Sequence, residues 1–193
     1  MSFQPIAALR RLIGRQPPGD RRSGRLVAVI HCVLDQNVRD AGAASFPAAN
    51  WAVLDLCREH GVGLLQMPCP EVHCLGMARN RPSDCSLRDA LDTPAGRAGC
   101  QRLAGEMAGL IVAHLAAGRR VLAVLGGNEQ SPGCAVHLDD LGLTQDSGVF
   151  LKELQDELRR HHINVPFLPM RDANADSMEG DLRMLEALFI AAA

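Results

Sequence analysis

The sequence predicts an α/β fold: a single three-layer domain, Rossmann-like, in which a mostly parallel sheet carries helices on both faces. Three observations predict it. Short apolar segments of strand length alternate along the chain with longer segments of helical period. The short segments are continuous apolar runs, as expected of strands buried on both faces. The helical segments carry their own punctuation, a capping residue before or a glycine after. Strand followed by helix, four times over, calls for a parallel sheet with crossover helices. No internal repeat and no second domain are visible.

The first strand is 26–30 (LVAVI), rich in β-branched residues. A loop covers 31–45. Residues 46–60 read as a helix with Ser45 as N-cap and Gly61 as its stop. Residues 62–67 (VGLLQM) read as a second buried strand. The stretch 68–93 is rich in Pro, Cys, Arg and Asp and has no period, so it reads as a long loop, a length commonly tied to function. Thr93-Pro94 supplies an N-cap and a first-turn proline for a helix over 94–117 that ends at Gly118. Residues 120–125 form a third strand, and 126–146 another loop. A helix over 149–162 places Phe150, Leu151, Leu154 and Leu158 on one face. Residues 163–168 read as the fourth strand. A last helix spans 176–190, with Glu179 three residues after Asp176 in a capping-box-like start. The domain is therefore 26–193, preceded by an arm over 1–25. That arm carries Arg10, Arg11, Arg15, Arg21, Arg22 and Arg25 and reads as a surface helix followed by a flexible Pro17-Pro18-Gly19 linker.

Composition bounds the function. The chain has 193 residues, 47% hydrophobic and 22% charged. Folding a chain of this size hides about 70% of its unfolded area, enough for one core. The formal charge is −2, from 20 basic and 22 acidic side chains, which argues against duplex nucleic acid or an anionic membrane as partner. Aromatics are 3% with no tyrosine, too few for a single-strand stacking platform. No apolar run approaches the roughly 18–20 residues that span a bilayer. The first 25 residues lack the apolar core of a secretory signal. Seven cysteines in a chain with no secretory mark read as reduced thiols of a cytoplasmic protein rather than as a disulfide framework.

In open parallel sheets ligands bind beyond the carboxyl ends of the strands. Cys32 stands just past strand one in HCVLDQN, Cys69 just past strand two in QMPCPE, and Cys134 after strand three in GGNEQSPGC. The fold brings all three to one edge. Three thiolates meeting there can hold three irons of a cubane cluster and leave the fourth iron without a protein thiolate, whereas electron-transfer clusters use four cysteines. Two other readings stay open. Cysteines are often mere packing residues. Cys69, His73, Cys74 and Cys85 lie close enough for zinc, although C-x3-H-C-x10-C fits a zinc knuckle poorly. Cys57 and Cys100 fall on predicted helices and read as core. Gly126-Gly127 lacks the rest of any phosphate-loop motif.

These three motifs resemble the 2-thiouracil desulfurase family. The likeness extends to the LGMAR segment ending at Arg79 and to the GVFLKELQDEL helix, and covers roughly residues 26–168. The HCxLxQN form of the first motif is closer to the desulfidase-related branch of that family. The resemblance implies a 4Fe-4S cluster held by Cys32, Cys69 and Cys134, and an enzyme that cleaves a C–S bond. The unique iron would bind the sulfur of a thiocarbonyl substrate, water would attack the carbon, and sulfide would leave without net redox. Glu71, two residues after Cys69, is then expected at the rim as a proton shuttle, and Ser131 as a donor or relay. Gln36, Asn37, Asn128 and Gln130 offer amides to hold a heterocyclic base. Arg79 is expected to meet a phosphate or ribose, or else to pair with Asp84 or Asp89. His31, His73, His137 and Glu129 are weaker candidates. The rival functions are a zinc- or redox-binding module without turnover, and a hydrolase with Cys134 as nucleophile. The partner in every case is a small molecule, with no membrane.

Overall fold

The computed structural model describes residues 19–193. The helix and linker expected over the first part of the arm lie outside the described residues. The elements run β1 (Arg25–Ile30), α1 (His31–Leu34), a 3-10 turn (Gln36–Val38), α2 (Trp51–Glu59), β2 (Gly63–Met67), α3 (Pro70–Leu75), α4 (Leu87–Asp92), α5 (Pro94–Ala116), β3 (Arg120–Leu125), β4 (Leu138–Asp139), β5 (Gly142–Leu143), α6 (Val149–Arg160), β6 (Phe167–Leu168) and α7 (Ala175–Ala191). No helix among the described residues is long and apolar enough to cross a membrane.

The main sheet has four parallel strands in the order β2-β1-β3-β6. The chain moves outward from β1 to β2, then crosses back to β3 and on to β6. Right-handed crossovers in opposite directions put their helices on opposite faces. Accordingly α5 packs on α6, and α2 packs on α7. The reversal lies between β1 and β3, so the crevice at the carboxyl ends of these two strands is the topological switch point. The predicted three-layer α/β architecture is what the chain adopts.

Several element limits differ from the sequence reading, each for a physical reason. The helix expected over 46–60 begins only at Trp51, capped by Asn50 rather than Ser45. The preceding backbone is spent elsewhere: the Ser45 N–H donates to Gln36 Oε1 at 2.9 Å, and the Ala48 carbonyl accepts from the Gln36 N–H at 2.6 Å. β2 is an edge strand with Gly63, Leu64 and Gln66 exposed, not a buried one. The long loop over 68–93 holds two short helices, α3 with Pro70 in its first turn and α4 capped by Ser86. The loop after β3 contains a small antiparallel hairpin, β4-β5. Of the strand expected over 163–168 only two residues pair, because Pro166 has no N–H for a ladder; its carbonyl still accepts from Val124. The cap of α7 is Asn174, whose side chain accepts from the Ser177 N–H. The start of α5 at Thr93-Pro94 is as expected.

Candidate functional site

Cys32 is the second residue of α1, directly beyond β1. Cys69 stands at the N-cap of α3 beyond β2, in extended backbone and without a side-chain cap hydrogen bond. Cys134 lies in the loop beyond β3. All three line one cavity of about 1000 Å³ at the sheet edge where the switch point lies. Their charges would act on each other: an ionised Cys32 or Cys69 opposes ionisation of Cys134.

Tight backbone packing holds the third loop over its strand end. The Gly127 N–H donates to the Cys134 carbonyl at 2.7 Å. A Cβ on Gly127 would stand 2.9 Å from Cys134 Sγ, and one on Gly126 2.8 Å from the Cys134 carbonyl oxygen. The glycine pair thus admits the returning chain rather than a phosphate. Gly148 closes the turn from the other side, where a Cβ would lie 2.2 Å from the Cys134 backbone nitrogen.

Burial pushes all three thiols above the ordinary cysteine range, Cys134 well above it. For Cys32 the Arg39 guanidinium, 3.4 Å from the sulfur, works against that rise. For Cys134 the neighbouring Cys32 adds to it, and the Ser131 hydroxyl opposes it. A nucleophilic thiolate needs the opposite environment. The one imidazole of this loop, His137, turns its Nε2 to the Glu129 carbonyl at 2.9 Å. Among the described residues no imidazole is hydrogen-bonded to the Cys134 sulfur.

Ser131 Oγ lies 2.9 Å from Cys134 Sγ and accepts from the Cys134 N–H at 3.3 Å. The hydroxyl can accept from that amide and donate to the sulfur at once. Glu71 lines the cavity, with its carboxylate 3.4 Å from Arg79 Nε. Arg79 was expected to meet a ligand or to pair with Asp84 or Asp89; its partner is Glu71 instead. Its Nη1 donates to the Met77 carbonyl at 3.0 Å and its Nη2 to the Val38 carbonyl, so this 2% exposed side chain ties the segment after β2 to the turn after β1.

The four amides separate. Gln36 is buried beneath the first loop, where Nε2 donates to the Cys32 carbonyl at 2.8 Å. Asn37 is exposed and donates to its neighbour Asp35 at 2.7 Å. Neither lines the cavity, against expectation: the short helix and turn after β1 carry both away from it. Asn128 and Gln130 do line it. Asn128 is itself braced, donating to Asp172 at 2.9 Å and accepting from the Ala173 N–H at 2.9 Å. Gln130 is exposed at the rim and makes no side-chain hydrogen bond among the described residues. His31 lines the cavity, whereas His73, His137 and Glu129 do not.

The sequence reading passed over the polar centre of the site. Asp172 follows β6, and its carboxylate accepts from Arg39 at 2.8 Å on both oxygens. Asn128, Gln36 and Asn50 donate to the same group, the last two at 3.4 and 3.5 Å. This buried carboxylate ties the loops after β1, β3 and β6 together. The signal was available: the strand-end rule applied to the fourth strand leads to Met170-Arg171-Asp172.

Searches against protein-family models, curated proteins and solved structures find no match to this chain. The site must therefore be argued from its own residues. Among the described residues no three His, Cys, Asp or Glu side chains converge on a point that could hold a single metal ion. The zinc set expected as a rival is dispersed: Cys74 Sγ turns to the Gly96 carbonyl of α5 at 3.9 Å, and Cys85 Sγ to the Ser86 carbonyl at 3.5 Å. His73 Nδ1 faces the Cys69 carbonyl at 3.1 Å. Cys57 and Cys100 are buried in the core, as expected.

Proposed function

We propose that this chain is an iron–sulfur-dependent desulfidase that removes sulfur, as hydrogen sulfide, from a thiocarbonyl compound of the thiouracil or thionucleoside kind. Water replaces sulfur, C=S becomes C=O, and no electrons are gained or lost. The single observation that carries the reading is the set of three thiols, from the ends of three different parallel strands, on the wall of one cavity. Thiolates are soft ligands suited to iron–sulfur chemistry. A cubane binds each thiolate at a separate iron, so its ligands need not converge on one point as those of a lone ion must. A 4Fe-4S cluster held by Cys32, Cys69 and Cys134 would supply an open, thiophilic iron as a Lewis acid for the thiocarbonyl sulfur.

The chain's own groups divide the remaining work. Glu71, at the wall and steadied by Arg79, holds or takes the proton of the attacking water at its carboxylate. Ser131 orients Cys134 through the 2.9 Å contact to its sulfur. Arg39 donates to Cys32 and offsets thiolate charge. Gln130 offers a donor and an acceptor to the substrate ring. Phe46 and Met178 add apolar wall against which a ring can rest.

The test is anaerobic reconstitution followed by iron and acid-labile sulfide counts, then sulfide release from a panel of thiobases and thionucleosides. Four irons and four sulfides, lost in Cys69→Ala but kept in Cys57→Ala, support the reading. One zinc without labile sulfide would assign the chain to the metal-module class. A colourless protein after reconstitution would overturn the desulfidase.

A further inference from the structure

We infer that the cavity selects uncharged thio-heterocycles, as bases or nucleosides, against their phosphate esters. The thio group rests on the proposed desulfidase reading; the charge selection rests on the cavity wall alone.

Both guanidiniums on that wall are already committed. Arg39 meets both oxygens of Asp172 at 2.8 Å and gives its other terminal nitrogen to the Ala43 carbonyl and Ser45 Oγ, each at 3.1 Å. Arg79 meets Glu71 and two backbone carbonyls. Each cation is thus matched by a carboxylate, and neither presents a free fork to a phosphate. No lysine lines the cavity among the described residues.

What remains is negative. Asp40 and Glu179 also line the wall. Glu179 has Arg183 beside it on the exposed side of α7, outside the cavity. The Asp40 carboxylate accepts only from the Ala41 N–H among the described residues, at 3.0 Å. Apolar side chains such as Val38, Phe46, Leu87 and Leu182 make up much of the rest. A phosphate dianion would lose its water there and gain no cation in return. One feature points the other way, because the N-terminal end of α7 reaches the cavity at Ala173 and Ala175. That end is already occupied: Asn174 takes the Ser177 N–H, and Asp176 places a carboxylate in the first turn. The free amide of Gln130 at the rim suits a ring N–H and carbonyl, which bear no charge.

The test is equilibrium binding by calorimetry, with no turnover required, of 4-thiouracil, 4-thiouridine and 4-thiouridine 5′-monophosphate to the protein at pH 8, where imidazole charge is small. The monophosphate is expected to bind roughly tenfold or more weakly than the nucleoside, with the gap closing as salt rises. The Asp40→Asn/Glu179→Gln double variant is expected to narrow the gap at low salt while the nucleoside affinity holds. A monophosphate that binds as well as the nucleoside or better overturns the inference, and so does failure of both uncharged probes to bind. The binding pattern without sulfide release would leave the charge selection standing and remove the desulfidase instead.

Discussion

The Asp172 side chain is 1% exposed, and its partner Arg39 is 9% exposed. A buried pair of this kind adds little net stability, yet removing one member strands the other, at a cost of about 3–5 kcal/mol. Asp172→Asn keeps the shape and leaves Arg39 without its counter-charge. Its unfolding free energy, read by urea titration, is expected to fall by an amount in that range, and the Arg39→Met/Asp172→Asn double variant should recover part of the loss. If Asp172→Asn unfolds with the parent protein, the carboxylate is not the hub described. The core cysteines give a prediction of opposite chemistry. Burial pushes Cys57 and Cys100 from 9.0 to about 12. The folded state therefore holds protons that the unfolded state releases first. Their stability contribution is whole below pH 9 and declines between about pH 9 and 12. Thermal midpoints read across that window should fall, and less so in Cys57→Ala. At pH 8 both thiols should resist alkylation until the protein unfolds, while Cys85, half-buried in its loop, reacts in the native state.

At the level of elements, the start of α6 is fixed by what its cap excludes. Gly148 has backbone rather than a yielding side chain in the way of any Cβ, with the Gly133 carbonyl oxygen at 2.4 Å. Gly148→Ala should therefore cost about 1–3 kcal/mol in denaturant unfolding. A parent-like midpoint would mean that the loop holding Cys134 is more pliable than the packing implies. The same contrast between local and distant constraint decides which elements could be read in advance. The α5 start was readable because Thr93 caps Gly96 three residues away, with Oγ1 at 3.1 Å. The α2 start was not, because the segment before it bonds to Gln36, and nothing near Ser45 announces that. β2 and β1 look alike as apolar runs, and only the strand order shows that one is an edge. The site divides on this line too. The three cysteines were readable because Cys32 and Cys69 stand directly beyond their strands and Cys134 lies in the loop that follows β3. Asp172 gathers its partners from 44 to 136 positions away, so its role emerges only once the loops are assembled.

Across the whole molecule, function and stability meet in the loops beyond the sheet. β1, β2 and β3 each deliver one cysteine to the cavity, and the Asp172 network joins the loops of β1, β3 and β6. Hydrogen bonds of that network do not reach β2, whose loop is tied to the others by Arg79 on the Val38 carbonyl and by Arg88 on the Asp146 and Ser147 carbonyls. A group bound by all three cysteines would add a further tie among the loops, and anything that binds only the folded state stabilises it by mass action. The proposed cluster therefore predicts that the anaerobically reconstituted protein melts above the metal-free protein, and that a strong iron chelator reverses the rise. Cys32→Ser, Cys69→Ser and Cys134→Ser should each erase most of the increment, since each cuts one loop from the assembly. Cys74→Ser, whose sulfur faces α5 rather than the cavity, should retain it. An increment that survives in Cys69→Ser would show that β2 takes no part in holding the group, and would leave two loops rather than three to account for the site.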